Sequence, residues 1–298
     1  ITLTVLKNFI NMISCFNCRV LRYFSVCSLF IISSTASSMN SSEDSSAAAE
    51  PIIGANCKMK NLGIFYSEKE IFDILMDERN RNRRNVSDLI RVYKEKCCSL
   101  AEENTNTTKP RRPFIVVESN HRPPRKLVAK QLADILGGEY ISVPPKCLRE
   151  FLYTFDYSGL LRRAYFGLSL YATAYEVKAV YHKKPVVTSG YWSDQTSFAI
   201  SKEYDLDKIP EVGHSIYTWP EDLLKPDVSF LMNVPQRQVD GYATTILPDN
   251  FQEKRIVAFR RMRRPRLREI KDIFYYDTIL TQMQSKMLNV FMHPRWKR

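Results

Sequence analysis

The densest chemistry in the chain lies in one short stretch, Glu118-Ser119-Asn120-His121-Arg122-Pro123-Pro124-Arg125-Lys126-Leu127. It follows an unbroken apolar run, Phe114–Val117, and precedes a helical pattern, Lys126–Leu136, so it reads as the turn between a buried strand and a helix. Such turns cradle phosphate oxygens with successive backbone N–H groups. The working pattern is G-x-x-x-x-G-K-[ST]. Here Ser119 stands at the first glycine, Pro124 at the second, Arg125 at the lysine and Lys126 at the hydroxyl residue. Pro123 and Pro124 have no N–H to donate, and Lys126 offers no hydroxyl to Mg²⁺. Arg125 keeps the charge, but a planar guanidinium does not replace an ammonium in that slot. Taken alone, this is a basic loop.

Other reactive side chains are scattered. Glu118 reads as a carboxylate serving the loop or as an ion-pairing acid. His182, His214 and His293 are isolated. Of the seven cysteines, Cys15, Cys18 and Cys27 lie near the N-terminus; the others, Cys57, Cys97, Cys98 and Cys147, form no CxxC and have no histidine pair nearby. That excludes a disulfide scaffold, argues against structural zinc and fits a reducing compartment. No metal ligands are assigned. Lys254–Arg268 packs eight basic residues into fifteen, and residues 253–298 carry +9 of the chain's net +12. Such a run attracts nucleic acid or anionic lipid without sequence specificity, or is a solvated helical face. Pro265 interrupts it, so it is not one long helix.

The elements that must position these groups start well inside the chain. Residues 1–42 contain no acidic residue, carry Lys7, Arg19 and Arg22, and become serine-rich, the composition of a mitochondrial transit peptide. The apolar stretch Tyr23–Ile32 leaves a secretory signal as the competing reading. The first residue is Ile1, as expected of a fragment or a translated gene model. Residues 35–50 are low-complexity, so 1–50 is expected to be a targeting-like segment and linker outside the fold. Ser67–Glu70 is a capping box, a second helix begins near Ser87, and Glu102–Arg112 reads as a linker. Residues 51–112 are therefore expected to be a small helical appendage and linker.

From residue 113 to 298 short β-branched runs alternate with helices. Phe114–Val117, Tyr140–Val143, Pro185–Thr188, Val228–Val234 and Phe274–Asp277 are the expected strands. Leu160–Tyr181 and Ile279–Phe291 are expected helices. The pattern is α/β, a parallel five-stranded sheet covered on both faces. No run approaches the roughly 18 apolar residues that span a bilayer.

Particular residues carry a resemblance. Phe114–Glu118 (FIVVE), Ser142–Pro145 (SVPP), Arg162-Arg163-Ala164, YWSDQTSFAI from Tyr191, and above all YTWPEDLLKPD at Tyr217–Asp227 resemble the thymidylate kinase-like family, nearest its mitochondrial UMP/CMP kinase branch. The resemblance implies a P-loop NTPase-like fold, transfer of the ATP γ-phosphoryl group to a nucleoside monophosphate with Mg²⁺, a mobile basic lid and a homodimer. It would put Arg162, Arg163, Tyr191 and Trp192 at the acceptor nucleotide and Arg260, Arg261, Arg263 and Arg264 in the lid. The competing reading makes Tyr191 and Trp192 packing aromatics and the arginine pair a solvated helix opening. Against the family pattern, the loop aspartate is His121, and the Asp-Arg pair preceding the tyrosine is Ser189-Gly190. Asp194 reads as a substitute acid or as a cap for its helix. Phosphoryl transfer depends on positioning and charge compensation, so these losses remove its means.

The leading expectation is thus a degenerate, noncatalytic nucleoside monophosphate kinase-like protein, a nucleotide-sensing or scaffold element in mitochondria. One alternative is a residual ATP- and Mg²⁺-dependent kinase for UMP, CMP, dUMP or dTMP. The other is a basic, nonspecific RNA- or lipid-binding protein on that fold. The partner is a nucleotide, another protein, or an anionic surface meeting Lys254–Arg268; a cytoplasmic location is the alternative to the mitochondrion.

Overall fold

Four of the expected strands form where the apolar runs lie, in a computed structural model that describes residues 62–99, 111–156, 159–235, 250–271, 273 and 275–291. The targeting-like segment 1–50 and most of the linker before residue 113 fall outside the described residues. Strand β1, Phe114–Ser119, is buried along its whole length. It pairs in parallel with β3, Val186–Ser189, and with β4, Val228–Met232, in the registers Phe114↔Val186 and Ile115↔Val228. β2, Glu139–Ile141, lies outside β3, and β5, Leu267–Ile270, outside β4. The order is β2-β3-β1-β4-β5, all parallel. β1 and β4 are thus the buried neighbours that their unalternating apolar sequences require.

The fifth strand corrects an expectation. It is Leu267–Ile270, at the end of the basic run, whereas Tyr276 and Asp277 already open a helix. Its residues hid the signal: an edge strand has only one partner, and Arg268 is exposed while Ile270 is buried.

Helices α1 (Glu68–Leu75) and α2 (Arg84–Val92) precede the sheet, followed by a π-helical turn, Tyr93–Cys98. Ser67 caps α1 by accepting from the Glu70 N–H, and Glu70 returns a carboxylate oxygen to the Tyr66 N–H at 2.8 Å. α3 (Arg122–Ile135) and α4 (Leu160–Val180) join β1, β2 and β3, with a 3₁₀ helix, Lys146–Tyr153, before α4. α5 (Trp192–Glu203), α6 (Phe251–Arg261) and α7 (Tyr276–Phe291) complete the fold.

Two apolar layers flank the sheet. Ile115, Val117 and Phe230 pack with Val128 and Leu132 of α3 and Met283 and Met287 of α7. On the other face Phe114, Val116 and Leu231 pack with α4, α5 and α6. Ile64, Phe65, Ile71, Leu75, Leu89 and Tyr93 belong to this second layer. Residues 62–99 are therefore part of the core rather than an appendage. Gly167 of α4 admits Phe65 closely: a Cβ there would lie 2.6 Å from the phenylalanine ring. A disulfide, Cys97–Cys147, ties the same segment to the 3₁₀ helix, which corrects the expectation of reduced thiols for these two; Cys98 is a free cysteine.

Candidate functional site

In open parallel α/β sheets, ligands sit outside the carboxyl ends of the strands. At that edge β1 passes into α3 through only Asn120 and His121. The expected wide loop is not formed. Ser119 completes β1, and Arg122, Pro123 and Pro124 form the first turn of α3, where proline's preset φ favours helix and its missing N–H breaks no helical bond. The same substitution removes donors from the end of the helix that would face a phosphate. The His121 N–H is engaged by Ser119 Oγ at 3.2 Å. Asn120 clamps the turn to the end of β4: its amide nitrogen donates to the Val234 carbonyl, and its oxygen accepts the Val234 N–H, both at 2.9 Å.

Arg125 sits on the inner face of α3 and is buried, whereas Lys126, one residue on, is exposed. The Arg125 guanidinium binds the Asp194 carboxylate and lies 3.7 Å from Glu118 Oε2. Arg255 of α6 binds the same Asp194 oxygen from the other side and donates to the Asn120 carbonyl at 2.7 Å. Glu118 in turn accepts the Tyr191 N–H at 3.1 Å. Burial, followed by the Asp194 charge, pushes the Glu118 carboxyl up to about 8. Burial also opposes ionisation of Asp194, but the guanidiniums of Arg125 and Arg255 hold it down to about 2. Asp194 lies in the first turn of α5 and makes no side-chain cap. It is the anion of a closed internal network.

Ser189 and Gly190 follow from that network. Ser189 Oγ is hydrogen-bonded to the Tyr140 hydroxyl at 2.7 Å. Gly190 has φ +76°, and a Cβ on it would come within 2.6 Å of the Arg125 guanidinium. The glycine is thus the seat of Arg125.

The residues expected at an acceptor nucleotide are engaged elsewhere. Arg162 donates to the Leu152 and Phe155 carbonyls at 2.7 and 3.3 Å, and the Arg163 stem packs over Gly63. Trp192 is buried and donates from its indole N–H to the Phe65 carbonyl at 3.3 Å. Tyr191 packs between Phe114 and Trp219. The void left between the 63–71 segment, α4 and α5 is about 10 Å³, room for one water at most and none for a nucleobase. In the expected lid, Arg260 pairs with Glu269 on β5, and Arg261 donates to the Ile209 and Pro210 carbonyls and pairs with Glu211. Arg261 is half-buried by these contacts, while Arg260, Arg263 and Arg264 are exposed.

Asp194 and Arg255 emerge from the structure as the centre of the site. A charged residue in the first turn of α5 and an arginine opening a basic run were the available signals. Among the described residues no three His, Cys, Asp or Glu side chains cluster for a metal, and no helix is long and apolar enough to cross a membrane.

A parallel 2-3-1-4-5 sheet with a helix leaving its central strand defines a P-loop kinase-type fold. No family model matches the chain. It is 28% identical over 195 residues to human mitochondrial UMP-CMP kinase 2, covering 60% of this chain and 43% of that protein, so it spans less than half of the relative's length. A thymidylate kinase from Candida albicans superposes with a TM-score of 0.46 at 15% identity, covering 60% of this chain and 92% of that one. Over about 60% of its length the chain is thus similar to a nucleoside monophosphate kinase.

ATP·Mg²⁺, which the sequence resemblance implies, does not fit the residues present. The turn is too short to wrap a phosphate, two helix N–H donors are replaced by prolines, and the nearby guanidiniums already hold Asp194. Ser189 is committed to Tyr140, and Gly190 has no side chain to offer.

Proposed function

We propose that this chain is a noncatalytic protein on a nucleoside monophosphate kinase fold, acting as a scaffold element rather than transferring phosphoryl groups. The observation that carries the reading is Asp194, whose carboxylate satisfies Arg125 and Arg255 at the edge of the sheet where a phosphate would need them. Phosphoryl transfer depends on donors aimed at developing charge. Here the donors are consumed internally. The test is calorimetric titration of the full chain with ATP·Mg²⁺, and an assay for ADP with UMP, CMP, dUMP or dTMP. No ADP is expected, and no saturable ATP·Mg²⁺ binding that depends on Arg125. ADP formation that co-elutes with the protein and is lost on Arg125→Ala would overturn the reading.

A mitochondrial address is part of the same proposal. It is supported by the acid-free, basic and serine-rich residues 1–42 and by similarity to a kinase named as mitochondrial. A fluorescent reporter carrying residues 1–50 should reach mitochondria; its export through the secretory route would count against the proposal.

A further inference from the structure

At the amino ends of β4 and β5, the end of the sheet opposite Asp194, lies a cavity of about 710 Å³. That volume is within the range of small-molecule sites, roughly 300–1,000 Å³. Two carboxylates stand in its wall, and both are already engaged. Asp227 accepts from Arg111 at 2.7 and 2.8 Å, and Glu269 accepts from Arg260 at 2.7 and 3.1 Å. Four further cations line it: Arg263 and Arg266 in the turn before β5, Arg268 within that strand, and Lys286 of α7. Among the described residues none of these four has a carboxylate partner. Their charges are gathered from a turn, a strand and a helix rather than from one solvated helical face. Arg263, Arg266 and Arg268 are exposed and Lys286 half-buried, so the four cations are accessible to an anion that enters the cavity. Guanidinium forks pair with the oxygens of carboxylate and phosphate alike, but a linear chain of phosphoryl groups carries more charge and more acceptor oxygens to several separate cations than a single carboxylate does.

We propose that this cavity binds a small ligand carrying two or more phosphoryl groups, at a site separate from the closed one at the carboxyl edge. The site needs no rearrangement of the Arg125–Asp194–Arg255 network, so it stands or falls independently of the proposed lack of catalysis.

The experiment is calorimetry of the full chain in phosphate-free buffer, with tripolyphosphate, pyrophosphate, citrate and a short oligouridylate as probes. Tripolyphosphate is expected to bind saturably at one site per chain and more tightly than citrate. The double variant Arg268→Ala, Lys286→Ala should weaken it about tenfold or more, which corresponds to roughly 1.4 kcal/mol. A second double variant on exposed lysines away from the cavity, Lys130→Ala with Lys202→Ala, should leave it unchanged. If the first double variant fails to melt cooperatively, Arg268→Gln and Lys286→Gln taken singly should each still weaken binding. No saturable binding, equal loss in both double variants, or citrate binding as tight as tripolyphosphate would overturn the proposal. So would oligouridylate binding at several sites per chain while tripolyphosphate fails to saturate, since that is a nonspecific polyanion surface.

Discussion

Arg125 and Gly190 are two halves of one change. A side chain at 190 would have to take φ +76° and displace the Arg125 guanidinium from its place, so the glycine and the buried arginine suit each other. Asp194 then joins Arg125 to Arg255, and neutralising it leaves those two buried cations with only the Glu118 carboxyl, 3.7 Å from Arg125, to compensate them. Asp194→Asn should therefore lower stability by about 3–5 kcal/mol, the usual penalty for breaking a buried pair. Asp205→Asn, in an exposed pair with Lys208, should cost less than about 1 kcal/mol. Thermal melts of the two variants make the comparison, and equal shifts would sink it. The pH dependence has two signs. Glu118 is raised from 4.5 to about 8, so between those values the native state holds a proton that the unfolded chain has released. Its contribution is full below 4.5 and lost as pH rises through 8. Asp194, lowered from 3.8 to about 2, contributes fully above 3.8 and loses that contribution as pH falls through 2. From pH 5 to 9, wild type should lose stability that Glu118→Gln does not, by at most ~1.4 kcal/mol per pH unit. Parallel curves for the two proteins would refute the Glu118 assignment.

At the scale of elements, α3 shows why the phosphate turn cannot be restored by residue type alone. Combining Ser119→Gly, Pro124→Gly, Arg125→Lys and Lys126→Thr would write most of a cradle into the sequence. Ser119, however, ends a buried strand, and Arg125 is the fork that holds Asp194. The rebuilt chain is expected to melt lower than wild type and to bind ATP·Mg²⁺ no more tightly than wild type in calorimetry; a gain in affinity over wild type would show that the turn can reopen. Some elements were legible without coordinates. β1 and β4 announce themselves because both faces are buried and their residues are uniformly apolar. The start of α3 was misread by four residues, since prolines signal a loop from a distance but suit a helix's first turn. β5 was hidden by its arginines. The central pairings of the site were illegible for another reason: Asp194 meets partners 69 and 61 residues away in the chain, and local spacing carries no trace of such a meeting.

The whole molecule depends on a segment that precedes its sheet. Phe65, Ile71, Leu75, Leu89 and Tyr93 are buried against the α4–α5 face, and the Trp192 indole closes on the Phe65 carbonyl. Burying each large apolar side chain contributes on the order of 1.5–3 kcal/mol. The net stability of a domain is only about 5–15 kcal/mol. Removing five such side chains, and exposing the surfaces they cover on α4 and α5, is enough to consume it. The Cys97–Cys147 bridge adds a constraint of the same sense: it closes a separation of 50 residues, for which chain entropy suggests about 4 kcal/mol. A chain of residues 51–298 should therefore melt cooperatively, and at a lower temperature after reduction. The Cys97→Ala, Cys147→Ala variant should melt near the reduced protein and ignore reductant. A chain of residues 111–298, which keeps every strand and the entire 118–127 turn, should show no cooperative transition and no fixed near-ultraviolet circular dichroism. Cooperative melting of that shorter chain would mean that the sheet and its own helices form a sufficient core, and that residues 62–99 merely rest on it.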